Sequence, residues 1–237
     1  MTLSLFRDDA YLTQTSAVVT GVNEQGGIIL DQTVFYPTGG GQPGDKGKLI
    51  LADGTNIEIA TAVKGNTPDE IVHVPAEGSP LPDIGATITA EIDWDTRHRL
   101  MRMHSCLHLL SAVLPYPVTG GQVSDGKGRL DFDLPEATLD KEEITVELNR
   151  IINENHALTS DWISEEELDA KPELVKTMSV QPPRGAGRIR LIKVEGVDLQ
   201  PCGGTHVRNT SEIGEVRVRK IEKKGRQNRR VSLEFVA

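Results

Sequence analysis

Two short motifs hold the residues of this chain best suited to bind a transition metal. His104 and His108 enclose Ser105, Cys106 and Leu107, while Cys202 and His206 enclose Gly203, Gly204 and Thr205. On a helix, residues four apart lie one turn above each other, so His104 and His108 can offer two imidazoles to one ion. The glycine pair after Cys202 reads instead as a tight turn, with thiolate and imidazole directed inward. Two or three nitrogens and one sulfur form a donor set that suits one tetrahedral Zn2+ ion. Each pair alone has an ordinary explanation, hydrogen-bonded core histidines for the first and coincidence for the second. Together they make a metal the better reading. Cys106 falls half a turn from the His104–His108 face and reads as packed. His73, His98 and His156 lack a ligand partner at helical spacing and read as surface or structural. Four protein ligands close a site, as in structural zinc, whereas hydrolysis needs an open position. Both readings stay open: His104 or His206 bound loosely, or an ion that expands to five-coordinate, would admit catalysis.

The elements that must position these residues follow from periodicity. From Asp95 to Leu114, the spacing of Leu100, Met103, Leu107, Leu110 and Leu114 predicts an amphipathic helix. Asp93 or Asp95 caps its start and Pro115 stops it. A second helix is expected over Asp140–Asn155, from Ile144, Leu148, Ile151 and Ile152. Strands are expected at Arg129–Leu134, Arg188–Val194, Glu215–Glu222 and Arg230–Val236. Before Asp93 the chain reads as short strands between glycine and proline turns, at Tyr11–Val22, Gly27–Gln32, Lys48–Ala52, Ile57–Val63, Ile71–Val74 and Thr87–Ile92. Such strands without long helices predict a small barrel or sandwich. The fold class is therefore α+β. A small β-barrel occupies 1–92, and a zinc-containing domain of helices and antiparallel strands occupies 93–237.

Bulk properties bound the function. With 237 residues the chain makes one large domain or two modest ones. No apolar run reaches membrane-spanning length, and the first residues lack a secretory pattern. Two cysteines give no disulfide framework, so the expected location is cytoplasmic. The net charge of −9 argues against nucleic acid, but its distribution is uneven. Glu136–Glu173 is strongly acidic. Arg217, Arg219, Lys220, Lys223, Lys224, Arg226, Arg229 and Arg230 crowd the other end, and such a local basic face can bind phosphates. A solvated strand pair is the competing reading of that charge run.

His-Ser-Cys-Leu-His-Leu-Leu at 104–110 and Leu-Gln-Pro-Cys-Gly-Gly-Thr-His-Val at 199–207 closely resemble the two metal motifs of alanyl-tRNA synthetase editing domains. Phe35-Tyr36-Pro37-Thr38-Gly39-Gly40-Gly41-Gln42-Pro43-Gly44-Asp45 is similar to the glycine motif of the small barrel that precedes that core. Gly121-Gln122 through Leu130-Asp131-Phe132-Asp133 resembles the intervening loop and strand. Adenylate-forming motifs are not visible in the sequence. The chain therefore resembles the free-standing AlaX family in its medium form, where a small residue or threonine usually stands at the position of Cys106.

By that resemblance the activity is hydrolysis of the ester joining serine, or glycine, to alanine tRNA. The partner is the mischarged tRNA, and no membrane is involved. The implied zinc set is His104, His108, Cys202 and His206. Gln122 is expected to contact substrate or water, and Thr205 to orient a ligand or close the turn. The Gly39–Gly41 run, with Gly40 between, allows close backbone approach and offers N–H donors, or is a simple inter-strand turn. Thr119 and Gln122 are candidates to read the serine hydroxyl. Phosphates are assigned to the basic run from Arg217 to Arg230, with Arg97, Arg99 and Arg102 as further contacts. Three alternatives remain: a non-catalytic tRNA-binding module with structural zinc, a zinc hydrolase acting on another ester or amide, or editing of seryl threonine tRNA.

Overall fold

Alternating apolar residues close the first part of the chain into a barrel. In a computed structural model, residues 2–67, 69–134, 139–178 and 187–236 are described; Glu136 of the acidic stretch lies outside them. The chain divides into two compact units, Met1–Arg99 and Leu100–Ala237. In the first, the strands are β1 (Leu3–Ser4), β2 (Gln14–Val22), β3 (Ile28–Leu30), β4 (Gln32–Thr33), β5 (Gly47–Leu51), β6 (Asn56–Lys64), β7 (Ile71–Pro75) and β8 (Thr87–Ile92). Six of them close in the order β2-β3-β7-β6-β5-β8. Val19, Ile28, Leu30, Leu49, Ile57, Ile88 and Ala90 fill the interior with Phe35.

Two strands differ from the periodicity reading. Tyr11–Thr13 lies outside any strand, and Tyr11 packs on Trp94 instead, with ring centroids 5.3 Å apart. The run Gly27–Gln32 splits at Asp31, whose carboxylate accepts from the Val18 and Gln32 amides at 2.8 Å. Beyond that break β4 leaves the barrel and pairs in parallel with β1.

His73 is buried inside the barrel, its ring bonded to the Thr33 hydroxyl at 2.8 Å and facing the Ile28 carbonyl at 3.0 Å. Burial pushes its pKa down to about 4, only partly offset by that carbonyl, against 6.5 for an ordinary imidazole. The folded state thus resists a proton that the unfolded chain accepts. The stabilisation is complete above about pH 6.5 and is lost as the pH falls towards 4. The gap corresponds to about 3 kcal/mol. Urea denaturation should therefore show wild-type stability falling between pH 7 and 4 by about that much more than in His73→Gln. Parallel pH dependences would show that His73 is not the group responsible.

The second unit is built around the part of α1 (Trp94–Val113) from Leu100 onward. Asp93 caps this helix, accepting from the Thr96 amide at 3.1 Å and hydroxyl at 2.7 Å. The expected apolar stripe is not its only buried face. Met101, Cys106 and Leu109 are as buried as Leu100, Met103 and Leu110, and so are His104, Ser105, His108 and Ser111. From Leu100 onward the helix is surrounded, which explains its lack of a polar side.

After α1 come β9 (Val118–Ser124), β10 (Lys127–Asp133), α2 (Lys141–Asn153), β11 (Leu158–Ser164), α3 (Glu165–Asp169), β12 (Arg188–Val194), β13 (Asp198–Pro201), β14 (Val216–Lys224) and β15 (Asn228–Phe235). They form an antiparallel four-stranded sheet, β14-β15-β10-β9, and a three-stranded one, β11-β12-β13. Gly128 on β10 lets that strand press against α1, since a Cβ there would lie 2.9 Å from the Met103 side chain. Strand β9 was hidden in the sequence by Gly120-Gly121, and β11 by its Ser and Asp residues, which are poor strand formers. The capping box of Ser164 and Glu167 starts α3. Among the described residues no helix is long and apolar enough to cross a membrane.

Candidate metal centre

His104 and His108 project from adjacent turns of α1, as their spacing requires, and meet the segment that leaves β13. One ligand atom from each of His104, His108, Cys202 and His206 falls within 4.8 Å of the others. The Cys202 sulfur lies 3.6 Å from Nε2 of His104 and 3.3 Å from Nε2 of His206. A tetrahedral zinc with ordinary bond lengths would set its ligand atoms about 3.3–3.6 Å apart. These two distances and the donor set therefore fit such an ion. The ring centroids of His104 and His206 are 4.3 Å apart, and those of His108 and His206 4.5 Å. Cys106 is wholly buried elsewhere on the helix, and burial raises its thiol to about 12. It is packed and inert.

The electrostatics favour ligand forms. Burial pushes the Cys202 thiol up, but the imidazoles of His104 and His206 outweigh it and hold it well below the usual thiol range. Burial lowers His206, and the neighbouring His104 pushes it further the same way. His108 is the exception. Burial would lower it, yet Asp198 and Cys202 raise it to about 9. Asp198 is in turn held down to about 2 by His108 and Lys176, against its own burial.

The glycine pair does not act as expected. Gly203 and Gly204 are absent from the positive-φ glycines, so the backbone there demands no left-handed residue. Arg190 on β12 shapes the segment instead, donating to the Gly204 carbonyl at 2.8 Å and the Cys202 carbonyl at 3.4 Å. Gly203 is exposed, and a Cβ on it would meet nothing within 4 Å. The accessible edge of the cluster is thus at Cys202–Gly203, because His104, His108 and His206 are buried. Thr205 is wholly buried.

Residues not singled out from sequence complete the surroundings. The Ser105 hydroxyl lies 3.1 Å from Nδ1 of His206 and accepts from the Val207 amide at 3.2 Å. Asp198 and Gln200 sit at alternate positions of β13, the period that continues to Cys202. That alternation was the available signal.

Other expected site residues fall elsewhere. Gln122 pairs in register with Arg129 and accepts from its Nε at 3.2 Å. Gly128, one residue from Arg129, faces α1, so Gln122 projects from the opposite face of the sheet, away from the helix bearing the histidines. With Ser124, Lys127, Arg129, Arg219 and Ser232 it lines a shallow cavity of ≈ 160 Å³ there. The Thr119 hydroxyl donates to the Asp131 carbonyl at 3.1 Å. In the first unit Gly39–Gln42 is a two-residue hairpin turn. The Gln42 amide donates to the Gly39 carbonyl at 2.9 Å, and Gly40 and Gly41 take φ of 56° and 81°. Those angles favour glycine at both central positions.

The basic run is only partly available. Arg229 is buried, beside Phe132 in register. Arg230 is committed to Asp131 by two hydrogen bonds of 2.7 and 2.8 Å. Arg97 is wholly buried, and Arg102 donates to the Ile213 carbonyl and lies over the Phe235 ring. Arg217, Arg219, Lys220, Lys223, Lys224 and Arg226 are exposed, though Glu234 pairs with Arg217 and Glu222 with Lys220.

A barrel followed by a His/Cys cluster on a buried helix is matched by sequence families found in tRNA synthetases. Residues 4–96 match the family described as tRNA synthetases class II (A), and residues 189–232 match the Threonyl and Alanyl tRNA synthetase second additional domain. Alanine–tRNA ligase of Saccharolobus islandicus is 34% identical over the whole chain, which spans 26% of that enzyme. Two shorter relatives match end to end. Alanyl-tRNA editing protein AlaX-M of Methanosarcina acetivorans is 35% identical, over 98% of this chain and 98% of the relative. AlaX-M of Saccharolobus solfataricus gives 35% with 98% of each covered. The chain belongs to the AlaX-M family of alanyl-tRNA editing proteins.

Proposed function

We propose that this protein is an aminoacyl-tRNA hydrolase that releases serine, and glycine, from mischarged alanine tRNA in the cytoplasm. The observation that carries the proposal is the four-ligand cluster in a chain that matches alanyl-tRNA editing proteins over its full length. We assign His104, His108, Cys202 and His206 to one zinc ion, within the editing domain of residues 93–237. Zinc bound there would supply Lewis-acid polarisation of the ester carbonyl. An aminoacyl ester is already activated, so modest electrostatic help suffices for hydrolysis.

The chain's own groups set the terms of access. The three imidazoles are buried, so the aminoacyl end enters along the Cys202–Gly203 edge, where Gly203 is exposed and borders open space. A site that hydrogen-bonds the serine hydroxyl would leave polar groups unpaired when alanine enters, and so reject the correct product. We assign phosphate contacts to the exposed part of the basic run, Arg217, Arg219, Lys220 and Lys224, joined by Lys127 and Arg129 across the sheet. The glycine turn at Gly39–Gly41 is retained as a substrate contact of the barrel domain, residues 1–92.

The count of four protein ligands favours a second reading, a tRNA-binding module whose zinc is structural. One assay separates the two. The protein is incubated with alanine tRNA carrying labelled serine, with correctly alanylated tRNA, and with serylated threonine tRNA. Rapid release of serine from alanine tRNA alone is expected. Binding of all three without release would establish the non-catalytic module, and release from threonine tRNA would reassign the substrate.

A further inference from the structure

We infer that Asp198 is the positioning residue of the metal centre: it fixes the ring orientation and tautomer of His108, and Lys176 and Gln200 hold it in place. The inference rests on the zinc reading of the four-residue cluster. Nδ1 of His108 is buried and has no hydrogen-bond partner among the described residues, while Oδ2 of Asp198 lies 3.6 Å away. That separation is a few tenths of an ångström beyond a hydrogen bond. The Asp198 side chain is wholly buried, and both its oxygens are engaged. Oδ1 takes the Lys176 ammonium, and Oδ2 accepts from the Gln200 amide at 2.6 Å. The same Gln200 amide reaches the Ser111 hydroxyl at 3.0 Å, and Ser111 donates to the His108 carbonyl at 2.8 Å. The carboxylate is therefore tied to the helix turn that carries His108 and to the strand that leads into Cys202.

The arrangement has one chemical consequence. A carboxylate accepts hydrogen bonds and offers none, so the ring nitrogen facing it is the protonated one. Nε2 then keeps its lone pair for the ion. The partner of a metal-bound histidine commonly acts in this way, and its loss costs about 10–100-fold in metal affinity. His206 has a weaker counterpart in Ser105, whose hydroxyl serves either tautomer. Asp198 is thus the group that gives the cluster a defined proton pattern. Lys176 lies two residues from Met178, whose amide bonds the Val118 carbonyl at the start of β9, so the carboxylate is held from a third element.

The test measures zinc binding rather than turnover. The full-length apoprotein is titrated with zinc against a fluorescent chelator, for wild type, Asp198→Asn and Gln200→Leu. Ring tautomers are read by long-range proton–nitrogen correlation on 15N-labelled, zinc-loaded protein. Wild type should bind one zinc with His108 protonated at Nδ1. Asp198→Asn should bind about 10–100-fold more weakly, with mixed tautomers at His108. Gln200→Leu, which keeps the carboxylate and removes one of its anchors, should show a smaller loss in the same direction and serves if the first variant misfolds. Zinc binding as tight as wild type in both variants, with His108 unchanged, would overturn the positioning role. Failure of wild type to bind zinc at all would overturn the metal centre itself, and the positioning role with it.

Discussion

Replacing His108 with alanine should reduce hydrolysis of serylated alanine tRNA by at least about a hundredfold, while the variant keeps wild-type far-ultraviolet circular dichroism. The size of the effect follows from the cluster's geometry. His108 supplies one of four ligand atoms within 4.8 Å of each other, and its removal leaves three. Cys106, the other sulfur on α1, is buried with its thiol raised to about 12, and cannot turn in to replace it. Removal of zinc by a chelator should have the same result, reversed on adding zinc back. Stability separates the two roles of the ion. A ligand that binds only the folded state raises stability by RT ln(1 + [L]/Kd), about 4 kcal/mol at a thousandfold excess over Kd. If the zinc is catalytic, the chelated protein loses activity but keeps a cooperative melting transition at a lower temperature. A structural zinc predicts instead that chelation abolishes the transition, because three imidazoles and a thiolate would be left packed together without their ion.

Local signals carried most of what could be read from the chain. The i, i+4 pair on α1 depends on helix geometry alone, and so His104 and His108 were legible together. The barrel strands, set by alternation, were found to within a few residues, except where Asp31 turned to cap its own backbone neighbours. What failed was parity and partnership. Whether Gln122 faces α1 or solvent depends on its register against Arg129, next to a β-bulge at Asp131/Phe132, and a one-residue slip reverses the answer. The buried face of β15 held Arg229, a residue type read as surface by default. Asp198 and Lys176 meet only through pairings between distant segments, and neither has a local pattern that announces it. The basic run was read as a charge total. Its folded form is a set of cations, several already neutralised by Glu222, Glu234 and Asp131.

Arg97 shows how far that default can mislead, and it carries the largest stability effect expected in the first unit. Read from sequence as a phosphate contact, it is among the largest fully buried side chains of the protein. Its Nε donates to both Asp45 oxygens at 2.8 and 3.0 Å, and its two terminal nitrogens donate to the Ala10 and Val34 carbonyls at 2.9 and 2.7 Å. Asp45 also accepts from the Tyr36 amide at 2.5 Å, closing the Phe35–Asp45 segment that contains the glycine turn. Arg97→Met would leave this carboxylate buried with no opposite charge, and two carbonyls without their donor. Breaking a buried pair in this way costs about 3–5 kcal/mol, far more than an exposed pair contributes. The melting temperature should fall by more than about 6 °C. Arg97→Lys should recover little, since a compact ammonium cannot span three separate acceptor groups in one plane. The double variant Arg97→Met with Asp45→Asn should be more stable than Arg97→Met alone, because the stranded charge is gone. Equal losses in the single and double variants would mean that the carbonyl contacts, and not the ion pair, hold this corner of the barrel. A loss below 1 kcal/mol in Arg97→Met would mean that the side chain spends its time in solvent, and would return it to the candidates for phosphate binding.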